Sequence, residues 1–332
     1  KHGESGSWTV SADLADRTIA AALRQYCAGQ SWTQVRRLIE TRRVSVNAVM
    51  TLDDSRRLQA GDLVTLVANP LPPPPDDRDV PVRHIDEAIV VVEKPPGMVS
   101  LRHIEEATRP AQWRRRQTSL DEVLLRVISQ HDGHDRDLST LPPKQRRRYL
   151  RSVHRIDRDT SGLLVFARTA DAEKSLVEQF AGHSIKRTYL AIVSGQPGIG
   201  ELRSRLIRDQ GDGRRGSTDS ETDGKLAVTH VRDVQPLGES HSLVRCQLET
   251  GRTHQIRIHL SEAGHPVCGD TVYRGRAGAP EIEDTSPSPR LALHASELAF
   301  VHPASDETVA FEAPLPVDLQ RLVEKLTTQE SN

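Results

Sequence analysis

The chain has 332 residues, 36% hydrophobic and 27% charged, a mix that suits a globular protein with a real core. No run of eighteen apolar residues occurs and the polar start, Lys1 to Ser7, has no apolar stretch, so neither a membrane span nor a secretory leader is expected. Lysine and arginine number 45 against 46 acids, a net charge of −1, which excludes a uniformly basic coat and confines any polyanion partner to one face.

Thr18–Tyr26 is predicted helical, with Ile19, Leu23 and Tyr26 near one face. Trp32–Ile39 is a second predicted helix, with Ser31 as its N-cap and Val35, Leu38 and Ile39 pointing inward. Arg36, Arg37, Arg42 and Arg43 fall on or just beyond its outer side. Val44–Asn47 alternates like a short strand, and Gly61-Asp62 turns the chain into another at Leu63–Val67. Four consecutive prolines, Pro72 to Pro75, cannot continue a helix or a central strand, and they mark a semi-rigid linker. The expected organisation is a tail over 1–10, a small domain over 11–69, a linker over 70–80, a large domain over 81–326 and a tail over 327–332.

In the large domain, Ala88–Val92 reads as a buried β-branched strand that ends in a Pro-Pro-Gly turn. Gly162–Ala167 and Thr188–Val193 are further strands, and Asp171–Phe180 is a helix with Leu176, Val177 and Phe180 inside. Leu243–Leu248 and Gln255–Leu260 alternate with period two and are predicted as strands. The expected class is α+β, with a mixed, largely antiparallel sheet in the large domain. Cys27, Cys246 and Cys268 are far apart and form no CxxC or Cys/His ladder, so no metal site or disulfide is expected, and a reducing cytoplasmic setting is.

Three segments concentrate chemistry. His154–Gly162 crowds arginines, aspartates and small hydroxyls into a loop before a buried strand, a placement that suits catalytic groups. Glu249–His259 would place Thr253, Gln255, Arg257 and His259 on one strand face, and Arg257 needs a carboxylate, for which Asp157 is the natural choice. An arginine held there would keep the acid ionised and nucleophilic. On Lys186–Ala191, Tyr189 should point away from Leu190, either as a core ring or as a stacking platform for a flat base. Seven basic residues between 141 and 158 (Lys144, Arg146, Arg147, Arg148, Arg151, Arg155 and Arg158) form the local basic surface.

The small domain, through Arg36-Arg37-Leu38-Ile39, Val44-Ser45-Val46-Asn47 and Gly61-Asp62-Leu63-Val64, resembles the alpha-L RNA-binding module named after a small-subunit ribosomal protein. Thr41-Arg42-Arg43 stands where that module usually carries a glycine. The blocks HRIDRDTSGLLVFART, KRTYLAIVSG, GRTHQIRIHLSEAGHPVCGDTVY, LALHASELAFVHP and FEAPLP, in that order, resemble the pseudouridine synthases of the RluA superfamily over residues 85–319. The resemblance implies an isomerase of uridine in RNA, expected to act on large-subunit ribosomal RNA by extruding the base from its stack, with no cofactor, as a monomer. It implies Asp157 as catalytic aspartate, Arg257 as its basic partner and Tyr189 as the active-site tyrosine. Arg155 would fill the gap left by the flipped base, with His154, Arg36, Arg37, Arg42 and Arg43 as further RNA contacts. Residues 101–149 read as an RNA-contacting insertion. A catalytically silent RNA-binding or ribosome-assembly protein on the same fold is the alternative.

Overall fold

The computed structural model describes residues 5–47, 49–70, 73, 75–102, 118–209 and 214–328. Its described residues fall into two units, one ending at residue 73 and one starting at residue 75. The first contains β1 (Gly6–Thr9), α1 (Ile19–Tyr26), α2 (Trp32–Glu40), β2 (Val44–Val46), β3 (Val49–Met50) and β4 (Leu63–Leu66). Both helices start on side-chain caps. Thr18 accepts from the Ala21 amide, and Ser31 and Gln34 form a reciprocal capping box. Ile19, Leu23, Val35, Leu38 and Ile39 then bury one helical face against Val44, Val46, Val64 and Leu66 of the sheet. The sheet order is β1-β4-β2-β3. Part of the expected N-terminal tail is thus structural, because Gly6–Thr9 pair with Leu63–Leu66. Arg42 takes the left-handed conformation, φ 61°, at the turn into β2, where a glycine would be unstrained.

The second unit runs β5 (Val82–Ile85), β6 (Ile89–Lys94), α3 (Leu120–His131), α4 (Pro143–Arg146), β7 (Arg151–Ser152), β8 (Ser161–Ala167), α5 (Ala170–Ala181), β9 (Lys186–Ser194), β10 (Gly200–Ile207), β11 (Gly216–Thr218), β12 (Lys225–Leu237), β13 (His241–Leu248), α6 (Gln255–Glu262), β14 (Leu293–Val301), β15 (Thr308–Glu312) and α7 (Val317–Thr328). Of the expected 101–149 insertion, residues 103–117 lie outside the described residues. Eleven strands form one sheet in the order β11-β10-β12-β13-β9-β14-β8-β6-β5, with β15 on β14 and β7 on β8. The sheet is mixed and largely antiparallel, as the sequence predicts; β8 and β14 are its parallel pair. Both faces are covered, which is why the runs Ile89–Val92 of β6 and Leu163–Ala167 of β8 are apolar. Val90, Val92, Leu164 and Phe166 pack toward α3 and α7, while Ile89, Val91, Leu163 and Val165 pack toward α5. Val177, expected inside, is 45% exposed. Among the described residues no helix is long and apolar enough to cross a membrane.

The β8–β14 seam depends on Gly162. Its φ is 114°, and a Cβ there would lie 2.2 Å from the Ala295 carbonyl oxygen. Gly162→Ala is expected to cost at least about 3 kcal/mol of stability, from backbone strain plus a backbone clash that no rotamer relieves. Equilibrium denaturation checks this.

Candidate active site

Three segments from distant parts of the chain line one cleft of about 540 Å³: the β7–β8 loop, β9, and the β13–α6 turn with the start of α6. The first is clamped from behind. Lys94, 1% exposed, donates from Nζ to the carbonyls of Pro95 (2.8 Å) and Arg158 (2.7 Å), and the Gly97 amide donates to the same Arg158 oxygen. Burial lowers the Lys94 pKa to about 7, opposed by Asp159 and Asp157. Ser100 donates to the Ile156 carbonyl (2.8 Å) and accepts from the Ile156 amide. Asp157 is therefore carried on a loop whose flanking peptides are hydrogen-bonded to the β6 turn.

Residues 255–262 form a helix, not the predicted strand. The alternation of Ile256, Ile258 and Leu260 misleads because every residue from Gln255 to Ser261 is buried, polar ones included. Their polar groups are satisfied one by one. The Gln255 carboxamide donates to the Val228 carbonyl and to Thr229 Oγ1 and accepts from the Arg252 amide and Thr250, while His259 bonds Thr229 and Ser204. His254, with φ 59°, turns the chain into the helix.

That helix delivers Arg257 to the cleft, where it is held differently from the expectation. Its hydrogen bonds go to Asp270, Nε to Oδ2 at 2.7 Å and NH2 to Oδ1 at 2.9 Å, a bidentate pair with a carboxylate that has no exposed surface. Burial disfavours the Arg257 charge, but the Asp270 contacts outweigh it and the pKa is raised. The remaining nitrogen, NH1, lies 3.6 Å from Asp157 Oδ2, an ion pair longer than a hydrogen bond. Asp157 thus faces a guanidinium already fixed by a second carboxylate. The Arg257 guanidinium also stacks 4.9 Å over the Tyr273 ring.

His254 and Tyr273 were not singled out by the sequence. His254 Nδ1 lies 2.7 Å from Tyr273 Oη, and Nε2 lies 3.8 Å from Asp157 Oδ1. The carboxylate beside Nε2 favours the Nε2–H tautomer, so the phenol donates to Nδ1. Tyr189 is 7% exposed and lines the cleft while packing in the main core, so it is both a core ring and a cleft wall. Burial raises its pKa.

The expected RNA contacts divide. Arg155 is exposed at the cleft and has no ion-pair partner among the described residues. His154 lines the cleft without offering a charge to it. Its Nε2 accepts from the Val165 amide (3.1 Å), its ring lies on Phe180, and burial, then Arg187, lowers its pKa to about 3. In the 141–158 run, Arg146 pairs with Glu122 and both Arg147 and Arg151 pair with Glu173; Lys144 and Arg148 are exposed without such partners among the described residues. In the first unit Arg36 pairs with Asp54 at 3.0 Å and Arg43 donates to the Val67 carbonyl, whereas Arg37 is exposed and unpaired among the described residues.

A second cluster, His84, Asp86 and His302, has the residue types of a metal site. Its hydrogen bonds argue against that use. Asp86 Oδ2 lies 3.0 and 2.9 Å from the two Nε2 atoms, and His302 Nδ1 accepts from the Ala304 and Ser305 amides. His302 therefore carries its proton on Nε2, the atom a metal would need. The cluster braces β5 to the end of β14.

A carboxylate and a guanidinium thus face each other in one cleft on a large mixed sheet. Residues 88–262 match the RNA pseudouridylate synthase family model, and the chain belongs to that family: it is an RNA pseudouridine synthase. It is 36% identical to a Zymomonas mobilis protein named ribosomal large subunit pseudouridine synthase D, over 96% of this chain and 95% of that one. It is also 36% identical to a Bacillus subtilis protein described as an uncharacterized RNA pseudouridine synthase, over 89% of each. The solved structure of human RNA pseudouridylate synthase domain containing 4 shares the fold, with a TM-score of 0.56 and 24% identity, covering 74% of this chain and 92% of that chain.

Proposed function

We propose that this synthase acts on uridine in large-subunit ribosomal RNA, with Asp157, Arg257 and Tyr189 as its catalytic set. The single observation that carries the site assignment is that all three line one cleft, with the Arg257 guanidinium 3.6 Å from the Asp157 carboxylate. The names of relatives such as the Zymomonas mobilis protein favour the ribosomal substrate. In the isomerisation the bond from C1′ to N1 of uracil breaks, the bond from C1′ to C5 forms, C5 loses its proton and N1 ends with one. Nothing is oxidised and no group is imported, so amino-acid side chains suffice.

A base in stacked RNA is out of reach of a cleft floor, so the uridine is extruded and Arg155, at the mouth, takes its place in the stack. Asp157 acts at the glycosidic bond, Arg257 orients the carboxylate, and Tyr189 packs on the uracil ring. His254, between Asp157 and Tyr273, is positioned to relay protons between the cleft and the phenol.

The first unit acts as an alpha-L RNA-binding module, a reading supported by two capped helices on a small sheet with Arg37 unpaired on the outer face. Arg37→Glu is expected to weaken RNA binding about tenfold at moderate salt while leaving turnover at saturating RNA unchanged, as filter binding and single-turnover kinetics will report. The deciding experiment for the function is tritium release from ribosomal RNA bearing 5-tritiated uridine, with pseudouridine mapping in cells that have or lack the protein. Release, together with a mapped site lost in the deletion, supports the reading; binding without release would mark a silent RNA-binding protein.

A further inference from the structure

Three arginines are less than a tenth exposed among the described residues: Arg102, Arg187 and Arg257. Arg102 faces Glu122 at 2.7 Å and Arg257 faces Asp270 at 2.7 Å. Arg187, on β9 two residues before Tyr189, faces no carboxylate among the described residues. Among the described residues its guanidinium makes one hydrogen bond, from NH2 to the Glu249 carbonyl (2.9 Å), and its buried Nε has no partner. The guanidinium lies 5.3 Å from the Phe180 ring centre, and a Cβ on Gly251 would come within 2.5 Å of its NH1. The glycine that opens the β13–α6 turn therefore leaves the space in which this nitrogen meets the cleft. Burial lowers the Arg187 pKa, and the neighbouring Arg252 charge lowers it further, opposed by Tyr189.

An uncompensated guanidinium in a nine-tenths buried place is costly, and such charges are normally paired. The cleft lining holds Arg155, Arg187, Arg252 and Arg257 against one carboxylate, Asp157. Arg257 is already neutralised by Asp270. A neutral uracil carbonyl could accept a hydrogen bond from Arg187 but would not balance its charge; a phosphate does both, and its tetrahedral oxygens suit the planar fork.

We propose that Arg187, with Arg252 beside it, forms a subsite for the phosphodiester group adjoining the flipped nucleotide. The inference deepens the reading of this cleft as the place where RNA is modified and rests on it. The subsite anchors the sugar–phosphate next to the extruded base, so the glycosidic bond is presented to Asp157 at fixed depth while the base turns.

The test uses the full chain and small probes. Uridine, its 3′- and 5′-monophosphates and inorganic phosphate are titrated into the parent and into Arg187→Gln, with binding read by chemical-shift perturbation. One monophosphate is expected to bind the parent about tenfold or more tighter than uridine, the scale of a charge-assisted hydrogen bond. Arg187→Gln should hold that preference below about twofold with uridine binding unchanged, and Arg187→Lys should fall between. An undiminished preference in Arg187→Gln, an equal loss of uridine and uridylate binding, or inorganic phosphate binding as tightly as either monophosphate overturns the proposal. So does a parent chain indifferent to the phosphate, an outcome that needs no folded variant. Melting without ligand separates a structural role. Arg187→Gln is expected not to lower the midpoint, because it removes an uncompensated charge; a clear drop would mark Arg187 as a packing residue and overturn the subsite. Tritium release plays no part in these readouts, so loss of the isomerase reading and loss of the subsite are distinguishable.

Discussion

Asp157→Asn is expected to lower tritium release by at least about 10⁴-fold, a barrier increase of roughly 5.5 kcal/mol, with RNA affinity held within about twofold. The substitution keeps the size and shape of the side chain, and the peptides beside it stay clamped by Lys94 and Ser100. What it removes is the charged oxygen that faces Arg257 at 3.6 Å. An amide cannot serve as a carboxylate nucleophile or base, so the loss falls on turnover and not on binding. Residual activity within a hundredfold of the parent would show that another group carries the chemistry and that Asp157 only shapes the cleft.

The largest stability loss is expected at Asp270. Its side chain has no exposed surface and accepts from Arg257 Nε and NH2 and from the amides of Val272 and Tyr273. Asp270→Ala strips Arg257 of its hydrogen-bonding carboxylate and leaves the Val272 and buried Tyr273 amides without their acceptor, a change that costs about 3–5 kcal/mol or more. In a unit of this size that lowers the melting midpoint by roughly 10 °C. Asp270→Asn keeps the amide partners and should fold better, yet turnover should still drop because the guanidinium is no longer locked. Calorimetry and single-turnover rates on both variants check this. An Asp270→Ala chain as stable as the parent would mean that the arginine finds another buried counter-charge.

The contrast between Asp157 and Asp270 shows how far the sequence could be read. β6 and β8 are legible because a strand buried on both faces carries an unbroken apolar run, here Ile89–Val92 and Leu163–Ala167. α2 is legible because Ser31 sits where a cap belongs, and α1 because Ile19, Leu23 and Tyr26 fall near one face. The α6 segment is not, because Ile256 and Leu260 satisfy both period two and a four-residue helical spacing, while Gln255 and His259 are buried polar groups bonded to distant strands and Arg257 to the carboxylate of Asp270. A charge among apolar neighbours needs a carboxylate whatever the element, but which carboxylate takes the hydrogen bonds of Arg257 is a matter of three-dimensional distance. Asp270 lies 13 residues beyond Arg257, and nothing in the sequence around it marks it as a buried counter-charge. Arg187 is not legible in the sequence, because its oddity lies in the lack of a carboxylate facing it among the described residues, and sequence spacing does not display that.

The parallel seam, where Ser161 and Gly162 lie against His294 and Ala295, joins segments 133 residues apart. The strand that enters this seam follows directly from the loop that carries Asp157. A chain still emerging from its own ribosome cannot close the seam before β14 has been made, and pairings this distant in sequence are slow to form. Competence to modify RNA therefore waits for β14, and a fragment released before that point has its acidic loop tied to the β6 turn but no partner strand at the entry of β8.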